Sequence, residues 1–134
     1  MFSTDAIEVS VIVPVYNGGE SFRRCLSALA NTTPSPLEII VAADGDTDGS
    51  WLVAREFGAQ VVRTNTRSGP AVARNLGACF AQGEILFFID ADVVVRPDAI
   101  SQVISTFKRE PNLAALIGSY DDAPGATNFL SQYR

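Results

Sequence analysis

The 134-residue sequence contains no histidine. That absence excludes histidine general bases, Ser-His-Asp triads and the commonest zinc sites, so acid–base chemistry in this chain falls to carboxylates. Cysteine is nearly as scarce. Cys25 and Cys79 both fall in apolar helical patterns, which predicts core packing rather than a disulfide or a metal site. Basic residues form no cluster and the formal net charge is -5, which excludes a broad phosphate-backbone footprint for DNA or RNA. A phosphate ligand would therefore be expected to arrive with a metal ion. No apolar run approaches the roughly 18 residues of a membrane span, and the opening "MFSTDAIEVS" has neither a basic n-region nor an apolar h-region. The chain reads as soluble and cytoplasmic. Missing too is the polar bias of disorder: 47% of residues are hydrophobic and 19% charged, which predicts one compact domain over 1–134.

Apolar runs at 9–16 ("VSVIVPVY"), 37–43 ("LEIIVAA"), 59–65 ("AQVVRTN"), 84–90 ("EILFFID") and 113–120 ("LAALIGSY") have strand length and β-branched content. Most are continuous rather than alternating, as in parallel strands buried on both faces. Helical stripes lie between them: Phe22, Cys25, Leu26 and Leu29; then Val72, Leu76, Cys79 and Phe80; then Ile100, Val103, Ile104 and Phe107. A less cleanly patterned helix spans about 50–57, with Asp48 or Ser50 to cap it and Gly58 to close it. This alternation predicts an α/β, doubly wound, mostly parallel sheet with helices on both faces, in the order 3-2-1-4 plus a further strand.

In such a sheet, ligands bind beyond the carboxyl ends of the strands, where the strand order reverses. The residues that follow the strands there are Tyr16, Asn17, Gly18 and Gly19; then Asp44 to Asp48; then Asp90 and Asp92. The result is an acidic, glycine-rich crevice. Carboxylates in the apolar stretch "ILFFIDADVVV" must meet a cation, hydroxyls or water, because an unpaired buried carboxylate is costly. On an extended chain, residues two apart face the same way at a separation of roughly 6.6 Å, so Asp90 and Asp92 are expected to address one ligand. Such a pair suits magnesium or manganese bound together with a nucleotide phosphate.

"DGDTDG", residues 44–49, matches the opening of an EF-hand loop, but the twelfth position holds Arg55 instead of a bidentate Glu, and a strand precedes it. Calcium binding is not expected. Asp44, the first polar residue past its strand, can accept a hydrogen bond from a nucleobase N–H or serve in an Asx turn. Asp46 and Asp48 read as turn and capping residues. Tyr16 can stack on a base or pack at the strand end. In "RSGPAVARN", residues 67–75, Pro70 opens a helix and Arg74 sits one turn in, where it or Arg67 can approach a diphosphate.

"VSVIVPVYNGG", "EIIVAADGDTDGS", "GPAVARNLG" and "ILFFIDADVVV" together resemble, in order and spacing, the successive motifs of family 2 glycosyltransferases, an inverting group with the GT-A fold. The resemblance covers nearly the whole chain and the first half of such a catalytic domain, which implies a truncated GT-A fold. It implies that Pro14, Val15 and Tyr16 border the base, Asp44 reads it, Arg74 lies near the nucleotide, Asp90 meets the ribose and Asp92 ligates Mn2+ or Mg2+. Many members have two adjacent acids followed by Gly-Ser, whereas this chain has Ala43, Asp44, Gly45 and Asp46. Uridine diphosphate sugars are the default donor, and the acceptor is a hydroxyl of a carbohydrate or lipid-linked molecule, attacked with inversion. The family supplies its catalytic base from a later segment, so none is assigned here, and Asp121 and Asp122 of "GSYDDAPG" read as a solvated turn.

Two other functions fit the same fold. A sugar-nucleotide nucleotidyltransferase would place a basic, glycine-rich loop after the first strand, and "NGGESFRR" is short with its arginines in a helix. A non-catalytic nucleotide-binding or interaction module would keep the fold and lose turnover. The final "ATNFLSQYR" has the spacing of a helix just beginning, with Phe129, Leu130 and Tyr133 on one side. The expectations are a longer parent protein, at the membrane surface when full-length, with an exposed apolar side that favours self-association and no sugar transfer by 1–134 alone.

Overall fold

The computed structural model of the chain describes residues 6–118. Its order is β1 (Val9–Val15), α1 (Gly19–Ala30), β2 (Glu38–Asp44), α2 (Ser50–Glu56), β3 (Gln60–Thr64), α3 (Pro70–Phe80), β4 (Ile85–Phe88) and α4 (Ala99–Arg109). The four strands are parallel in the order β3-β2-β1-β4, as the sequence predicts. β1 sits centrally and is buried along its whole length, with Val13 opposite Val41 on β2 and Ile12 opposite Phe88 on β4. Val9, Val11, Val13 and Val15 join the core cluster with α1, α2 and α4. Ile12 turns to the other face, under α3.

α1 forms because Phe22, Cys25, Leu26 and Leu29 recur at helical spacing, and all four are buried. Each of the large side chains contributes roughly 1.5–3 kcal/mol by leaving water. α4 follows the same logic through Ile100 and Val103, with Ile104 and Phe107 half-buried. At the amino edge of the sheet, the buried Ser10 hydroxyl donates to Glu38 Oε2 at 2.6 Å and accepts from the Gly83 N–H at 2.8 Å. The same Glu38 oxygen accepts from the Gln82 N–H at 2.7 Å. This network ties the turn before β4 to β1 and β2, and so sets where β4 ends at the opposite edge.

Three expectations need correction. The stripe Val72, Cys79 and Phe80 of α3 is exposed, while Ala73 and Gly77 face the sheet. The reason is a close helix–sheet approach: a Cβ at Gly77 would lie 2.7 Å from Ile12 Cγ2, so only small residues fit underneath. Cys79 is therefore a surface thiol rather than a core residue. Second, the outer strands are not buried on both faces; β4 alternates, with Leu86 and Phe88 exposed because α3 lies over β1 and β2 instead. Third, β4 stops at Phe88, so Asp90 and Asp92 do not ride on an extended strand. The Val93 N–H bonds the Asp90 carbonyl at 3.1 Å, closing a turn around Ala91 and Asp92. Residues 113–117 are irregular, with Gly118 in a single bridge, and the remainder of the expected fifth strand, together with Asp121, Asp122 and the terminal aromatic pattern, lies outside the described residues.

Candidate functional site

Two loops at the carboxyl edge are clamped together by side chains. Asn17 adopts φ 47°, a left-handed conformation that asparagine tolerates better than most residues, and this turns its side chain toward the β2–α2 loop. Asn17 Oδ1 accepts the N–H groups of Thr47 at 2.8 Å and Asp48 at 3.3 Å, and its Nδ2 donates to Thr47 Oγ1 at 3.3 Å. In return, Asp48 Oδ2 accepts the Gly19 N–H at 3.3 Å and Ser50 Oγ accepts the Gly18 N–H at 3.1 Å. Asp48 Oδ1 also takes the Ser50 N–H at 3.0 Å and hydroxyl at 2.6 Å, an Asx turn that leads into α2, whose N-cap is Gly49 rather than the expected Asp48 or Ser50. Burial raises the Asp48 carboxyl's pKa, but the Ser50 and Gly19 donors outweigh it and hold the group below the ordinary range. The effect of the clamp is to fix Tyr16 at the rim.

Asp44 ends β2 and is buried. Its Oδ1 accepts the Thr64 hydroxyl and the Ser68 N–H, each at 2.8 Å, and its Oδ2 accepts the Gly69 N–H at 2.8 Å. The carboxylate thus organises the whole β3–α3 loop. Burial alone would raise its pKa, yet the Ser68, Thr64 and Gly69 donors and the nearby Arg67 charge prevail and lower it. Gly45 next to it has φ 74°, and a Cβ there would stand 2.6 Å from the Arg67 backbone nitrogen, so glycine lets the two loops touch. Asp46 is also buried; its Oδ2 accepts the Trp51 N–H at 3.4 Å and its Oδ1 has no protein partner. These contacts use "DGDTDG" as loop scaffolding, and among the described residues no cluster of three or more metal-binding side chains forms.

The turn after β4 brings Asp90 to Arg74, whose Nη2 donates to Asp90 Oδ1 at 2.9 Å. From below, the Cys25 thiol donates to the Asp90 carbonyl at 3.7 Å. Burial first, then the Asp92 and Asp90 charges, push that thiol up to about 12, so it stays protonated. Asp92 is exposed and, among the described residues, accepts no hydrogen bond and faces no cation at ion-pair distance. Its carboxylate is open to a ligand.

A pocket of about 150 Å3 joins these pieces, lined by Pro14, Val15, Tyr16, Asp44, Arg67, Pro70, Ala73, Arg74, Asp90 and Ala91. Of the residues expected to bind nucleotide or metal, Pro14, Val15, Tyr16, Asp44, Arg74 and Asp90 line it and Asp92 does not. Sequence reasoning underrated Arg67, whose Cζ lies 4.0 Å from the centroid of the Tyr16 ring. It missed the clamp through Asn17 and the loop anchors Thr64 and Ser68, although "YNGG" carried a signal in an asparagine poised for a left-handed turn.

The model of glycosyl transferase family 2 matches residues 10–133. The chain belongs to this family. The Escherichia coli (strain K12) glycosyltransferase YibD is 36% identical over 110 residues, covering 79% of this chain and 32% of that protein. Among solved structures, S. aureus TarS 1-349 in complex with UDP superposes with a TM-score of 0.72 at 26% identity, over 78% of this chain and 33% of that one. The mannosyltransferase PcManGT from Pyrobaculum calidifontis, in complex with GDP-Man and Mn2+, has a TM-score of 0.68 at 26% identity, over 76% of this chain and 34% of that one. The family 2 chain spans about a third of the length of the curated relatives it matches. Its sheet order and helices are those of the GT-A glycosyltransferases.

Because the folded pKa of Asp44 is lowered, its anchoring is fully present above the unfolded carboxylate value, about pH 4, and is lost as pH falls through the folded one. Asp44→Asn sets an amide NH2 against a backbone N–H. It should lower stability at pH 7 by about 1–3 kcal/mol, with the gap closing below about pH 4. Urea unfolding across this pH range tests it; a gap independent of pH would show that the charge is not what holds the loop.

Proposed function

We propose that this chain forms the donor-binding part of a metal-dependent, inverting glycosyltransferase that uses a nucleoside diphosphate sugar. The observation that carries the reading is the convergence on one pocket of residues at the carboxyl ends of three strands and on the helix beside them: Pro14 and Val15 at the end of β1 with Tyr16 just past it, Asp44 at the end of β2, Asp90 past β4 and Arg74 on α3. Family membership and the UDP and GDP-Man complexes of similar structures support it.

In this reading, Tyr16 offers its ring face to the base, with Pro14 and Val15 beside it. Asp44 Oδ2 accepts one bond from Gly69 and keeps a lone pair for a base N–H. Asp90, oriented by Arg74, accepts the ribose hydroxyls. The positive end of α3, which opens at Pro70 in the pocket wall, favours the diphosphate.

The donor set fits a divalent ion held jointly with the substrate rather than by a protein cage. Asp92 provides one hard carboxylate without a partner among the described residues, and Mn2+ or Mg2+ needs one or two of these along with phosphate oxygens and water. When bound, the ion supplies positive charge to the departing diphosphate. The acceptor is a hydroxyl on a carbohydrate or lipid-linked molecule, which displaces the diphosphate directly at the anomeric carbon. Its proton goes to a carboxylate outside residues 1–134.

Asp92→Asn should remove on the order of 10- to 100-fold of the manganese-dependent gain in nucleotide affinity, and Asp90→Asn clearly less, because Asp90 is already occupied by Arg74. Calorimetry with and without manganese checks this; an unchanged manganese response in the Asp92 variant would remove that residue from the metal site. The isolated chain should bind a donor without transferring its sugar, since a general base alone is worth about 10²- to 10⁴-fold. Stereospecific transfer of a labelled sugar above a no-enzyme control would place the base inside these residues.

A further inference from the structure

The pocket has only about 150 Å3, below the roughly 300 Å3 at which ligand sites usually begin. A nucleoside diphosphate needs more room than this, so it either extends past the open mouth of the pocket or displaces part of the wall. Most of the wall is held. Tyr16 follows the clamped turn, Asp44 is buried under three hydrogen bonds, and Arg74 is ion-paired with Asp90. Arg67 is different. Its backbone is trapped between Gly45 and the anchored N–H groups of Ser68 and Gly69, but its side chain is exposed and, among the described residues, makes no hydrogen bond or ion pair. The guanidinium Cζ stands over the Tyr16 ring, 4.0 Å from its centroid, and so covers the surface on which a base would lie.

Resting on the donor-site reading, we infer that Arg67 is a nucleotide-binding residue with two positions: it caps the Tyr16 ring while the pocket is empty, and yields that ring to the nucleobase so that its guanidinium meets the diphosphate. Of the two arginines in the wall, Arg67 alone makes no ion pair among the described residues, although its charge is felt by the Asp44 carboxylate, and a planar fork suits phosphate oxygens. The rigid loop keeps the hinge local to the side chain. An exposed cation–π contact is weak, so giving it up lowers base affinity by only about 2- to 5-fold. A charge-assisted bond to the diphosphate returns more, about 10-fold or above.

The opposing effects make the test specific. The full chain and its Arg67→Ala variant are titrated calorimetrically with uridine, UDP, guanosine and GDP in the presence of manganese. Removing the cap should strengthen nucleoside binding by about 2- to 5-fold while the preference for diphosphate over nucleoside falls by about 10-fold or more. Without ligand, the variant should shift the ring-proton resonances of Tyr16, and UDP should shift them in the wild type. Unchanged ring resonances in the variant refute the stack. Equal weakening for nucleoside and diphosphate makes Arg67 a plain wall of the base site and overturns the two-position role. If the wild type binds none of the four, the donor-site reading falls first, and this inference with it.

Discussion

The buried carboxylate of Asp44 decides the shape of the carboxyl edge. It stands at the end of an apolar strand, where an ionised group without partners would cost several kcal/mol. Three donors meet it, the Thr64 hydroxyl at the end of β3 and the Ser68 and Gly69 N–H groups of the β3–α3 loop, and the loop takes its path from them. That path sets Arg67 over Tyr16, starts α3 at Pro70 and brings Arg74 within reach of Asp90. Glycine at 45 is the necessary complement, since a side chain there would strike the loop backbone.

The second constraint is the close seat of α3 on the sheet. Ala73 and Gly77 allow it, and it places Arg74, next to Ala73 in sequence, at the pocket wall. The same seat turns Val72 and Phe80 outward and leaves the Leu86–Phe88 side of β4 without a helix among the described residues. Surface apolarity here follows from the packing that builds the site.

Legibility tracked how much of each signal is local. β1, β2, α1 and α4 were readable because their runs and stripes are buried as a period-based reading requires. The stripe in α3 misled because its largest residues are the exposed ones; close approach selects for small size, which hydrophobicity does not reveal. The spacing of Asp90 and Asp92 pointed to the right edge of the sheet but assumed an extended chain, whereas β4 ends at Phe88 and a turn follows. Asn17, Thr64 and Ser68 were not legible as anchors, since each acts on a loop at least 20 residues away. The residues expected at this edge line one pocket because strand ends in a 3-2-1-4 sheet converge whatever the loops do in detail.

The central physical claim is that a nucleoside diphosphate lies across these strand ends with a divalent ion at Asp92. Calorimetry of the unmodified chain against UDP, GDP, ADP and CDP, each with and without manganese, addresses it most directly. One diphosphate, UDP or GDP, should bind with a clear preference over the others, and manganese should tighten it by on the order of tenfold or more. Absence of binding to all four, or an affinity indifferent to manganese, would contradict it.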